Sequence, residues 1–158
     1  RIGIILEEKF HLSFPYMFNF NDKIYMVPES SQNKDIRLYE CVNFPNKWKL
    51  KKILLNNISA VDTLIFYKNN FWWLLTNTDS AETGDFNSEL SIYYSKNEFI
   101  TDNWKPHKLN PLYTDSVTSR NAGLFYEKEK LFRVNQNHKY MQNLNCLHHQ
   151  VAYLYNIP

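Results

Sequence analysis

With 158 residues, 44% of them hydrophobic and 22% charged, the chain carries enough apolar material for one domain with a core, and its composition excludes general disorder. A formal charge of +2, with Lys and Arg scattered, gives no footing for nucleic acid, and no run of about 18 apolar residues marks a helical membrane span. Cys41 and Cys146 stand apart with no Cys-x-x-Cys step, so a reducing, cytoplasmic setting is expected and a redox pair is not.

The first stretch, RIGIILEE, is too short for a signal peptide, and an initial Arg leads us to expect a piece of a longer chain. EKFHLSF then leads into FNFNDKIYMVPE from Phe18: an apolar strand, a short polar turn and a second apolar strand. The same pattern returns as FYKNNFWWLLTN from Phe66 and as FYEKEKLFRVNQ from Phe125. Ile24, Trp72 and Leu131 fall in register, as do Tyr25, Trp73 and Phe132. With only three glycines and 20 asparagines, Asn is expected to fill turn positions that need positive φ.

The second halves of the first two units also correspond. IRLYECVNFPNKWKL from Ile36 and LSIYYSKNEFITDNWKPH from Leu90 both alternate apolar and polar residues and end in Phe then Trp (Phe44 and Trp48; Phe99 and Trp104). The tryptophans are expected to pack between neighbouring sheets, where a large ring covers much apolar area. Four strands repeated at a spacing of about 50 residues describe a propeller blade. The fold class expected is therefore all-β, a β-propeller with about three four-stranded antiparallel blades. They fall at approximately 12–57, 60–110 and 119–158 of one partial domain spanning residues 1–158. A β-sandwich of similar strands is the alternative.

The chemistry-bearing residues are few. Asp62 opens the run VDTLIFYKNNFWWLL, a lone acid at the mouth of an apolar strand. The repeat places Phe14 and Asn121 at the corresponding positions, so no carboxylate recurs there. Glu29, Asn77 and Gln136 correspond in the same way, and together would form a polar ring at one end of the propeller. Amide and carboxyl groups suit a hydroxyl-rich ligand, because they supply donors and acceptors side by side. Arg120 beside Asn121, with His11 and Tyr16, completes a candidate sugar-binding floor; an Arg there suits an anionic group. Each has a plainer reading as a turn cap, a surface ion pair or a tie between blades. Cys146, His138, His148 and His149 lack metal-ligand spacing, because adjacent residues on a strand face opposite ways; no metal and no other cofactor are expected. The polar segment TNTDSAETGDFNSEL, residues 76–90, is expected to be a rim loop that can reach over the funnel.

HLSFPYMF, IYMVPESS, FPNKWKL, AVDTLIF, FWWLLTN, SELSIYYS, NWKPHKLNP, SRNAGLF and RVNQN, in this order, resemble one family over residues 8 to 140. It is the five-bladed propeller domain at the N-terminus of plant glucosamine inositolphosphorylceramide transferases, and it is in turn similar to the family-43 glycoside hydrolase propellers. The resemblance implies a carbohydrate-recognising domain attached to, or associated with, a glycan-modifying or glycosyl-transferring catalytic domain. In the hydrolases, three carboxylates from three blades share the funnel. Asp62 matches the acid at the mouth of one inner strand, with Thr63 where those enzymes carry proline. A glycosidase using Asp62 and Glu29 as catalytic carboxylates is the alternative, and a protein-interaction propeller a second. The expected partner is a sugar or glycan, not a membrane span or nucleic acid.

Overall fold

The computed structural model describes residues 3–128, 130–138 and 152–156; the expected positions Cys146, His148 and His149 lie outside these residues. Three antiparallel sheets are built in chain order. The first contains β1 (Ser13–Phe20), β2 (Lys23–Glu29), β3 (Asp35–Asn43) and β4 (Lys47–Asn56), with strand order β1-β2-β3-β4. The second contains β5 (Ala60–Lys68), β6 (Phe71–Thr78), β7 (Leu90–Ser95) and the short β8 (Lys105–Pro106), in order β5-β6-β7-β8. In the third, β10 (Lys130–Gln136) lies between β9 (Asn121–Glu127) and β11 (Ala152–Asn156). One 3-10 turn at Ser31–Asn33 is the sole helical element among the described residues.

Each sheet opens with a tight hairpin whose register follows from its turn. Phe20 pairs with Lys23, Lys68 with Phe71 and Glu127 with Lys130, which leaves two residues per turn. Asn21 and Asp22 have φ of 49° and 58°, Asn69 and Asn70 have 52° and 63°, and Lys128 has 46°. Two consecutive residues at positive φ make the turn whose twist matches the flanking strands. Asn and Asp tolerate that region better than other non-glycine residues, which explains how a chain with so little glycine forms the first two of these hairpins.

The sheets pack face to face through alternating side chains. Tyr25, Val27, Ile36, Leu38 and Leu54 of the first sheet meet Ile65, Trp72 and Leu74 of the second, with Phe99 and Trp104. On the other face of the second sheet, Leu64, Phe66, Leu75 and Leu90 meet Leu131 of the third. The middle sheet is thus covered on both faces. Its first strand is buried from Ala60 to Phe66, and a strand buried on both sides needs the near-continuous apolar run seen in the sequence.

The two Phe–Trp pairs do not pack alike. Phe99 is buried, and its ring lies 4.5 Å from Trp72, 5.1 Å from Tyr25 and 5.3 Å from both Phe18 and Phe20, joining the first two sheets. Phe44 is 60% exposed. The cause is the connection: the chain from β7 to β8 folds back over the interface, whereas β3 and β4 join directly and leave Phe44 at the turn. Trp104 lies between the first two sheets as expected. Trp48 instead covers the far face of the first sheet with Met26 and Tyr39, beneath Leu6 of the leading segment. That segment is held by Glu8, which accepts from the Tyr39 hydroxyl at 2.7 Å, and by Phe10 under the Arg37 guanidinium at 4.6 Å.

Candidate functional site

The site grows from an irregularity in the inner strands. In β5 the pairing register shifts between Val61 and Leu64, and Asp62 has a φ of 50°. β1 shifts between Ser13 and Tyr16, with Phe14 at 40°. β9 shifts near Asn121, with Gly123 at 148°. A bulge re-aims a side chain and leaves backbone groups outside the ladder, and those groups must find other partners.

Around Asp62 they do. Its N–H donates to Glu29 Oε1 at 3.3 Å, and its carbonyl accepts from Asn121 Nδ2 at 2.9 Å. The carbonyl of Val61 accepts from the Thr76 hydroxyl at 2.9 Å. The second sheet's bulge is therefore completed by one side chain from the first sheet and one from the third. Glu29 is placed for this at the end of β2, opposite Ser13, whose hydroxyl donates to Oε2.

The Asp62 side chain meets Arg120, which precedes β9. Nε of Arg120 donates to Asp62 Oδ2, Nη2 lies 3.9 Å from Glu29 Oε1, and Nη1 donates to Asn87 Oδ1 at 3.3 Å. Exposure grades outward: the side chain of Asp62 is 2% exposed, that of Glu29 13% and that of Arg120 21%. Burial, then the neighbouring Glu29 carboxyl, push Asp62 up to about 7 against the opposing pull of Arg120. Glu29 moves the other way: burial raises it, but bonds from Asp62 and Ser13 and the charge of Arg120 hold it below the usual carboxylate range.

Asn121 and Gln136 stand one layer beneath. Asn121 is fully buried; its N–H donates to Asn77 Oδ1 at 2.8 Å and its Oδ1 accepts from Arg133 Nη1 at 3.1 Å. Gln136 donates to the Asn121 carbonyl at 2.9 Å, and its Oε1 lies 3.2 Å from His138 Nε2. Burial and the nearby Arg120 lower the His138 pKa.

Of the residues expected from sequence, Glu29, Asp62, Arg120, Asn121 and Gln136 converge at one end of the inner strands. The structure does not bring Tyr16 or His11 into that cluster. The Tyr16 hydroxyl donates to the Ile65 carbonyl at 3.0 Å, between the two hydrophobic clusters, and burial raises its pKa. His11 is exposed on the leading segment, its N–H bonded to Gln32 Oε1 at 2.7 Å. Asn77 is not part of an open polar ring, because its amide donates to the carbonyls of Glu89 and Ser119, both at 2.9 Å.

Ser13, Asn87 and Arg133 were not singled out from the sequence. Asn87 lies in the rim segment expected to reach over the funnel. That segment is pinned by Asp79, which accepts from Thr83 N at 2.9 Å and Gly84 N at 2.6 Å. Among the described residues, no group of three or more His, Cys, Asp or Glu side chains is arranged for a metal ion.

The three antiparallel sheets have the propeller fold seen in family-43 glycoside hydrolases. A thermostable family-43 glycoside hydrolase superposes with a TM-score of 0.66 at 17% identity, over 93% of this chain and 48% of that one. A family-43 β-1,3-galactosidase gives 0.61 at 14%, over 78% and 27%. At such identities the likeness shows the fold alone.

By sequence the family is narrower. Residues 1–156 match the N-terminal domain of glucosamine inositolphosphorylceramide transferase 1, and the chain belongs to that family. Glucosamine inositolphosphorylceramide transferase 1 of Arabidopsis thaliana is 41% identical over 138 residues, and that of Oryza sativa subsp. japonica is 36% identical over the same length. Both matches cover 85% of this chain but only 18% of the relative.

Proposed function

We propose that this chain is the carbohydrate-recognising part of a glycan-building or glycan-modifying protein, and that its ligand meets Glu29 and Arg120 above Asp62. The observation that carries this reading is the convergence of Glu29 of the first sheet, Asp62 of the second and Arg120 at the entry to the third onto one partly open mouth. Asn121 and Gln136 act as buried supports of that mouth. The relatives are much longer than this chain, which leaves room in them for a catalytic unit. We take the three sheets as successive blades, within residues 12–57, 60–110 and 119–158, of a five-bladed ring.

The rival reading, a glycosidase, draws on the family-43 fold. Its chemistry needs carboxyl groups held apart, about 5–5.5 Å for retention and about 6.5–9.5 Å for inversion, so that a sugar carbon or a water fits between them. Here Asp62 is nearly closed off and engaged by Arg120, and Glu29 is bonded to its backbone N–H. That closure favours recognition over hydrolysis.

The test pairs retention on a glycan array with turnover of chromogenic glycosides. Retention without turnover is expected, weakened at least tenfold by Glu29→Ala. Turnover abolished by Asp62→Asn in a folded protein would establish the hydrolase. Retention that survives Glu29→Ala unchanged would remove this mouth from the binding surface and leave a rim-based interaction module.

A further inference from the structure

From the contacts of Arg120 we infer that this mouth selects neutral or amine-bearing glycans and rejects acidic ones, with Arg120 acting as an internal counter-ion and positioning residue. This inference rests on the proposed carbohydrate-binding role and deepens it.

An arginine recognises a carboxylate or phosphate by offering two parallel N–H groups along one edge of its plane. In this structure Nε and Nη2, the pair forming that edge, already face Asp62 and Glu29. Nη1 donates to Asn87. Each guanidinium nitrogen therefore faces an acceptor within the protein. An incoming anion would have to displace a carboxylate or insert beside two of them.

The charge balance points the same way. Among the described residues, the charged groups in direct contact here are one guanidinium and two carboxyl groups. Their sum is −1 with both carboxyls ionised and zero with Asp62 protonated. Asp85 adds a further negative charge near His138, where its field opposes that of Arg120. With Glu29 ionised, neither state of Asp62 gives this trio a net positive charge.

A sugar diol fits what remains. Glu29 and Arg120 are the partly exposed members. A carboxylate presents about four acceptor sites and a guanidinium five donors, more than the internal contacts use. One hydroxyl of a vicinal pair can donate to Glu29 while its neighbour accepts from Arg120. An ammonium group would gain from Glu29 what a carboxylate loses.

The experiment presents the full chain with four matched oligosaccharides at physiological salt: neutral, terminal amino sugar, terminal uronate and 6-phosphate. The neutral and amino forms are expected to bind at least tenfold more tightly than the two acidic forms. Glu29→Gln, a conservative change at a partly exposed position, is expected to narrow that gap at least threefold by removing the carboxylate charge that faces Arg120 Nη2. Equal or tighter binding of the acidic forms by the unmodified chain overturns this inference and leaves the carbohydrate-binding reading standing. Binding of none of the four overturns both. A gap untouched by Glu29→Gln and by Asp62→Asn, in proteins of native circular dichroism, overturns the counter-ion role.

Discussion

Asn77 and Asn121, 44 residues apart in the chain, lock the second sheet to the third. Asn77 Oδ1 accepts the backbone N–H of Asn121 at 2.8 Å, while its amide donates to the carbonyls of Ser119 and Glu89. Both side chains are fully buried. Asn121 then bonds the carbonyl of Asp62, so the strut ends on the bulge that carries the site.

Asn77→Ala removes that strut and strands the Asn121 N–H in a place water does not reach, while the Ser119 and Glu89 carbonyls keep donors in Arg133 Nη1 and the Thr78 N–H. A buried group left without a partner costs about 1–3 kcal/mol. We expect a loss of about 2 kcal/mol, which for a chain of this size lowers Tm by roughly 4–8 °C. Calorimetry measures it. A change under about 0.5 kcal/mol, the ordinary range of surface substitutions, would mean that the strut contributes nothing.

These two residues also show where the sequence was legible and where it was not. The hairpin repeat could be read because two-residue turns fix the register, so that Phe14, Asp62 and Asn121 fell at corresponding places along the inner strands. The convergence of Glu29, Asp62 and Arg120 followed from that periodicity. The fate of each corresponding residue did not. Glu29 and Asn77 share a repeat position, yet Glu29 ends a strand at the open mouth and Asn77 lies in a sheet covered on both faces. Burial depends on what lies beside a sheet, and the repeat carries no trace of that. Asn87 and Ser13 were missed for a related reason: one reaches Arg120 from a loop 33 residues away, and the other reaches Glu29 across a strand pair.

Phe99 contacts four aromatic rings drawn from the first two sheets and is 2% exposed. Truncation to Ala leaves a void that surrounding strands cannot close, at a cost of about 3–5 kcal/mol. Phe44→Ala, at the matching sequence position but exposed, should cost less than about 0.5 kcal/mol. Urea unfolding of both variants separates them; similar losses would contradict the different packing of the two pairs.

Tyr16→Phe distinguishes a structural hydroxyl from a ligand-binding one. The bond to the Ile65 carbonyl is within the core, and its loss should cost about 1 kcal/mol. Glycan retention should change less than twofold. A tenfold loss of retention in the folded variant would return Tyr16 to the binding surface.

The carboxyl pair sets the dependence of stability on pH. Asp62 lies near 7 in the folded protein against an ordinary value of 3.8. Between those values the folded state holds a proton that the unfolded chain has released. Stability therefore falls as pH rises through that window and levels off above it. A displacement of this size corresponds to at most about 4 kcal/mol, because one pKa unit is about 1.4 kcal/mol. Glu29, held below its ordinary 4.5, stabilises the fold above that value and loses its contribution as pH falls further, so it acts at the acid end. His138, lowered from 6.5, opposes Asp62 just below 6.5, because there the folded state holds fewer protons than the unfolded chain. Asp62→Asn keeps a hydrogen-bonding side chain and removes the titration, while leaving His138 in place. The difference in Tm between the native chain and Asp62→Asn should thus shift in favour of the variant by several degrees from pH 5 to pH 7.5. Parallel profiles across that range would show that Asp62 is ionised throughout, with Arg120 outweighing both burial and Glu29.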